Sequence, residues 1–133
     1  SGGLIGNTVI ICGGYRDGGY VDECYILTSE KATLVTHMSV GRGSASSIII
    51  NDNTLWVTGG FNYDHGGSLA STDYVRVTGT MLGPDLPMTL SHHAMVAINS
   101  TCAMVIGGIQ LTGRLSSPSQ KRKKAIPPVM TVF

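Results

Sequence analysis

A pair of glycines recurs three times, each time closing an apolar run: IGNTVIICGGY (Ile5–Tyr15), NDNTLWVTGGF (Asn51–Phe61) and NSTCAMVIGGI (Asn99–Ile109). The pairs are Gly13-Gly14, Gly59-Gly60 and Gly107-Gly108, spaced 46 and then 48 residues apart. The second spacing also carries Ile50 onto Ile98, Asn51 onto Asn99 and Met38 onto Leu86. A repeat of this length means stacked supersecondary units that bury their apolar faces against one another. Glycine inside a strand costs roughly 0.5–1 kcal/mol relative to alanine. A chain that repeats this cost three times is meeting a geometric need, a tight turn with close backbone packing. Phosphate binding is the competing reading, but no segment reads GxxxxGK[ST], or GxGxxG opening a helix.

Each repeat reads as strands. Ser44–Ile50 is short and rich in β-branched residues, Asn51–Asn53 is a turn signal, and Thr54–Thr58 is a second strand, so the segment predicts a hairpin. A polar loop follows the glycines. A third strand is then expected over Asp22–Leu27 or Thr72–Val77, and a weaker fourth over Lys31–Thr36 or Thr78–Leu82. Four strands in about 47 residues is the size of one propeller blade.

The sequence resembles the Kelch repeat family. There a glycine pair closes the second strand of each blade, a Tyr lies in the third strand, and an apolar residue and an Arg precede the next blade. Tyr25 and Tyr74 match the Tyr, and Met38 and Arg42 match the last two. The family's Trp near the fourth strand is missing, and Leu90 stands where Arg42 does. The resemblance implies an all-β fold, a partial Kelch-type β-propeller of four-stranded antiparallel blades, over residues 1–110. We expect an incomplete blade over 1–36, a full blade over 38–82 and an incomplete blade over 86–110, about two blade-equivalents. Propellers use about 4–8 blades. The expectation is therefore a fragment of a longer chain, whose missing blades come from that chain or from self-association. Ser1 in place of an initiator Met fits a processed chain or a piece of one.

Residues 111–133 leave the repeat. KRKK (Lys121–Lys124) and Pro127-Pro128 predict a solvated, disordered tail rather than a nucleic-acid patch. The chain has 133 residues with 42% hydrophobic and 13% charged, enough to bury a core. Its net charge of +1 gives no global field towards nucleic acid. No apolar run reaches 18 residues, so no membrane-spanning helix is expected.

Catalytic residues, metal ligands and cofactors are not expected. His92 and His93 are adjacent in a strand and point to opposite faces, and His93 opens an inner strand. Asp64 and His65 lie in a solvated loop, and no Ser–His–Asp set can be assembled. The loops after the glycines, YRDGGY and FNYDHGG, are aromatic and polar. Such loops carry binding in propellers. Tyr15, Arg16, Phe61 and Tyr63, with Arg42 as the resemblance implies, are the expected face for a protein partner. The predicted function is a protein-binding module. The alternatives are part of an intracellular ubiquitin-ligase adaptor of Kelch type and part of a galactose-oxidase-like copper enzyme.

Cys12 and Cys24 fall beside each other on the second and third strands and are expected to form a disulfide, geometry permitting. Asn99-Ser100-Thr101 is a glycosylation sequon on a predicted turn. Together they favour an extracellular, secreted protein over a cytoplasmic one.

Overall fold

The computed structural model describes residues 1–100, 102–112, 122–125 and 131–132, the last two segments through their strand pairing only. Two complete four-stranded antiparallel sheets lead the chain. The first contains β1 (Gly2–Ile5), β2 (Thr8–Cys12), β5 (Glu23–Leu27) and β6 (Ala32–His37), in that spatial order. Between β2 and β5 a small hairpin pairs β3 (Tyr15–Arg16) with β4 (Gly19–Tyr20). The second contains β7 (Ser46–Ile50), β8 (Thr54–Thr58), β11 (Thr72–Arg76) and β12 (Gly79–Leu82), ordered β7, β8, β11, β12 from one edge to the other. Its glycine loop holds β9 (Phe61–Asn62), a single 3-10 turn over Tyr63–His65, and β10 (Gly67–Ser68).

A third sheet pairs β13 (Ala94–Ala97) with β14 (Ala103–Ile106), and β14 with β17 (Thr131–Val132). After the last glycine pair, β15 (Ile109–Thr112) pairs with β10 on one side and β16 (Arg122–Ala125) on the other. The fold is therefore all-β, built from propeller-like four-stranded sheets that, among the described residues, do not close into a ring.

The sheets lie side by side with like strands adjacent. Ser47 Oγ, on β7, donates to the Gly2 carbonyl on β1 at 3.3 Å. At the far edge the Thr36 and Thr80 hydroxyls meet at 3.0 Å, joining β6 to β12. The main core fills the space between the first two sheets. Ile5, Ile10, Cys12 and Cys24 of the first, with Met38, meet Leu55, Val57 and Val75 of the second. A smaller cluster of Leu86, Leu90 and Val105 lies between the second and third. The β7–β8 turn has Asn51 and Asp52 at φ 51° and 58°, a left-handed conformation that these side chains tolerate.

Three expectations need correction. The first repeat is a complete sheet, because Gly2–Ile5 forms its innermost strand in register with Thr8–Ile11. The glycines at its start hide that strand from a pattern reading. Two pieces of the tail, Arg122–Ala125 and Thr131–Val132, are strands rather than disordered chain. They satisfy edge groups that β15 and β14 would otherwise leave unpaired. The remainder of 113–133 lies outside the described residues. Finally, Tyr25 and Tyr74 are not equivalent. Tyr25 pairs with Ile11 one residue after the Cys12–Cys24 pair, whereas Tyr74 pairs with Trp56 two residues after Thr58–Thr72, so they point to opposite faces.

Candidate functional site: an aromatic loop face over a buried arginine

The glycine pairs build the site from below. Gly13 and Gly59 have φ 71° and 56°, where a side chain is strained. Space is short as well. A Cβ on Gly13 would lie 2.6 Å from the Arg42 carbonyl oxygen, and one on Gly59 would strike the Leu90 carbonyl. The second glycine of each pair donates its N–H to that same carbonyl, Gly14 to Arg42 and Gly60 to Leu90, each at 2.8 Å. Each of the first two glycine pairs thus staples the end of its own sheet to the segment that leads into the next.

Above these staples the loops of the first two repeats converge. Tyr20 is at the centre, with ring centroids 5.0 Å from Tyr15, 5.8 Å from Phe61 and 5.7 Å from Tyr63. Phe61 and Tyr63 meet edge-on at 4.8 Å. Phe61 is buried, whereas Tyr15 and Tyr63 remain 61% and 42% exposed. Burial raises the Tyr20 hydroxyl above the ordinary phenol range, with smaller contributions from its Tyr neighbours. The Tyr63 turn is held by Asn62, whose Oδ1 accepts the Asp64 N–H at 2.9 Å and whose Nδ2 donates to the Gly41 carbonyl at 2.7 Å.

The structure brings Tyr15, Phe61 and Tyr63 together, as the sequence predicts, and adds Tyr20 as the ring that joins them. YRDGGY carries two tyrosines, and only the register of the β3–β4 hairpin, which places Tyr15 opposite Tyr20, shows that both belong. Arg16 lies at the exposed rim. Its guanidinium meets Glu23 at 3.0 Å, and the Tyr25 hydroxyl donates to the same carboxylate at 2.8 Å. Hydrogen bonds from Tyr25 and then Arg16 hold Glu23 below the usual carboxylate range. Beside Tyr15 these residues line a shallow cavity of about 290 Å³ with Ile11, Gly13, Gly14 and Val21.

Arg42 does not belong to this face. Its side chain is fully buried and pairs with the equally buried Asp73 at 2.9 Å. It also donates to the carbonyls of Gly59 and Ser71, both at 2.8 Å, and to the Ser71 hydroxyl at 3.1 Å. Asp73 in turn accepts the Ser39 hydroxyl at 2.9 Å and the Ser39 N–H at 3.2 Å. Burial lowers the Arg42 guanidinium below its usual range, and the Asp73 charge opposes that. Arg42 is thus a clamp between the linker, the glycine loop and β11.

His93 is buried between β8 and β13. Its Nε2 lies 2.8 Å from Thr58 Oγ1, and its Nδ1 has no hydrogen-bond partner. We assign the proton to Nε2, donating to Thr58, which can pass its own proton to the Ser46 carbonyl at 3.4 Å. A lone pair is then left unpartnered rather than an N–H. Burial, with His92 adding to it, lowers His93 to about 4. His92 is exposed, so the two histidines share no site. Asp64 and His65 are exposed in the 3-10 turn. Among the described residues no three His, Cys, Asp or Glu side chains gather as metal ligands would.

Cys12 and Cys24 form a disulfide between directly opposed residues of β2 and β5, with Cα atoms 4.1 Å apart. Neither backbone pairs with the other there, since Cys12 N–H turns to Ser1, and this is the narrower kind of antiparallel pair. Asn99 is exposed in the β13–β14 turn, where its Oδ1 accepts the Cys102 N–H at 2.9 Å. Thr101 of the sequon lies outside the described residues, as does Lys121 of the basic run. Gly107 and Gly108 end β14 with φ 66° and 101°. No described helix is long and apolar enough to cross a membrane. No protein-family model matches the chain, and no curated protein matches it significantly.

Proposed function

We propose that the chain is part of a Kelch-type propeller and acts as a non-catalytic protein-binding module. The loop face of Tyr15, Tyr20, Phe61 and Tyr63 is its contact surface, with Arg16 at the rim. The observation that carries this reading is the convergence of aromatic side chains from two successive repeats. Two of those rings stay largely exposed on a scaffold that fixes their backbones. Tyr and Arg dominate interface hot spots because they bury large amphipathic area at small entropic cost. The buried Cys12–Cys24 disulfide supports an extracellular setting, since such bonds persist in oxidising compartments.

A photo-crosslinking amino acid at position 63 would capture the partner from the native source. Calorimetry on the purified pair would then compare Tyr15→Ala and Tyr63→Ala with a distant control, Glu30→Lys. Each tyrosine variant is expected to weaken binding by roughly 1–2 kcal/mol, as hot-spot truncations do. Unchanged affinity in both tyrosine variants would refute the loop face.

A further inference from the structure

The aromatic loop face also has a preferred sign of charge. This inference rests on the reading of that face as a contact surface and names the chemistry of what it takes. Tyr15 and Tyr63 are 61% and 42% exposed, and Tyr20 touches both, edge-on to Tyr15 and tilted by 58° against Tyr63. The face of an aromatic ring is negative and its edge positive. A cation within about 6 Å of a tyrosine ring centre is attracted to that face. The rings come from two successive repeats, so the site does not depend on what covers either end of the sheet stack.

The charges around these rings are mostly negative. Residues 15–23 carry one cation, Arg16, and three carboxylates, Asp17, Asp22 and Glu23, and residues 61–68 add Asp64. Arg16 is already engaged: its guanidinium meets Glu23 at 3.0 Å and lies 3.9 Å from Asp17. Asp22 meets His37 at 2.8 Å. Asp17 stands in the β3–β4 turn, two residues from Tyr15, with its side chain 92% exposed. Asp64 follows Tyr63 directly in the 3-10 turn. The basic strand β16 forms the other edge of the loop sheet, separated from β9 by β10 and β15. Three steps of about 4.8 Å put it about 14 Å away, beyond the Debye length of about 8 Å at physiological salt.

Three kinds of partner can be weighed against this arrangement. An anionic one would have to draw Arg16 away from Glu23 and settle beside Asp17. A purely apolar one would cover the rings while stripping water from a carboxylate and offering nothing in its place, which costs free energy. A cationic one covers an exposed ring and matches a carboxylate at once. Arginine does this better than lysine, because its planar guanidinium stacks on aromatic faces and is more weakly hydrated than an ammonium.

We propose that the protein partner meets this face with a basic segment, which lays an arginine side chain on the exposed tyrosine rings with Asp17 and Asp64 as its counter-charges. Arg16, held by Glu23, borders the site.

The test titrates the full, disulfide-intact chain with three blocked pentapeptides of glycine whose central residue is arginine, leucine or glutamate. NMR follows the ring protons of Tyr15, Tyr20 and Tyr63, with peptide up to about 50 mM so that binding weaker than millimolar is still seen. The arginine peptide should shift these signals in a saturable way and bind about 2–5-fold tighter than the leucine peptide, the range of an exposed cation–π contact. The glutamate peptide should bind more weakly than either. Changing Asp17→Asn together with Asp64→Asn leaves the rings in place, and asparagine suits the left-handed backbone of position 17. That variant should shrink the advantage of arginine and leave the leucine peptide unaltered. No ring shift with arginine, equal binding of leucine and arginine, tightest binding of glutamate, or an advantage unchanged in the double variant would each overturn the proposal. If Tyr15→Ala and Tyr63→Ala weaken the captured partner while arginine shows no advantage, the loop face stands and the basic segment falls. If those two variants leave the partner's affinity unchanged, the loop face falls and this inference with it.

Discussion

The two junctions between successive sheets use one backbone pattern and different side chains. At the first, Met38 N–H donates to Asp22, Arg42 N–H to Val21, and Gly14 N–H to Arg42. At the second, Leu86 donates to Ala70, Leu90 to Leu69, and Gly60 to Leu90. The bonds match one for one. Yet Arg42 carries a buried ion pair to Asp73, whereas Leu90 packs with Leu86 and Val105 in an apolar cluster. A further difference follows one turn later. Ala45 of the first junction is replaced by His93 at the second, and each sits just after a left-handed residue, Ser44 or His92. The junction is therefore defined by glycine backbones and carbonyls. The side chain at its centre is interchangeable so long as it is either fully partnered or fully apolar.

The largest expected effect comes from breaking the polar junction in half. Arg42→Ala leaves Asp73 buried without its cation, which should cost about 3–5 kcal/mol in urea unfolding. Replacing both partners, Arg42→Leu with Asp73→Leu, imitates the second junction and should cost clearly less than the single change. A double variant as unstable as Arg42→Ala would mean that the ion pair is required and the junctions are not interchangeable.

Next comes the staple. Gly59→Ala combines a positive φ with a clash against the Leu90 carbonyl and should lose about 3 kcal/mol. Gly6→Ala has a similar φ of 58° but open space around it, and should lose about 1 kcal/mol. Equal losses would show that conformation alone, without close approach, explains the glycines.

A smaller effect should appear only at the second junction. His93 is held near 4 in the folded state against an ordinary value of 6.5, so between these values the unfolded chain binds more protons. The stability that this residue contributes is complete above pH 6.5 and is lost as the pH falls towards 4. Its loss between pH 8 and pH 5 should be about 2 kcal/mol. His93→Ala, which copies Ala45 of the first junction, should flatten that part of the stability–pH curve. A slope unchanged in the variant would assign it to other groups.

Much of this was legible in the chain. The glycine spacing located β2, β8 and β14, and the turn signal Asn51–Asn53 located the β7–β8 hairpin. Cys12 and Cys24 were readable as neighbours because each lies next to a recognisable strand end. Arg42 was misread for a physical reason. Its burial depends on Asp73, 31 residues away on another strand, and nothing near Arg42 in sequence signals a buried carboxylate. The apparent match of Tyr25 with Tyr74 failed because the two stand one strand position apart once the cross-strand pairs are aligned, Tyr25 with Asp73 and Ile26 with Tyr74, so a shared residue type hid opposite side-chain directions. Tyr20 was passed over because its importance comes from meeting Phe61 and Tyr63 of the next repeat, a contact between loops rather than within one.

The most direct test of the repeated backbone junction is amide hydrogen exchange at Gly14 and Gly60, followed by NMR. Both amides lie outside the regular strands, where loop amides exchange quickly. Because each donates to the linker carbonyl of the next repeat, both should be protected to a similar degree, approaching that of Val57 in the core strand β8. Exchange at loop rates in either glycine, while Val57 stays protected, would contradict the account.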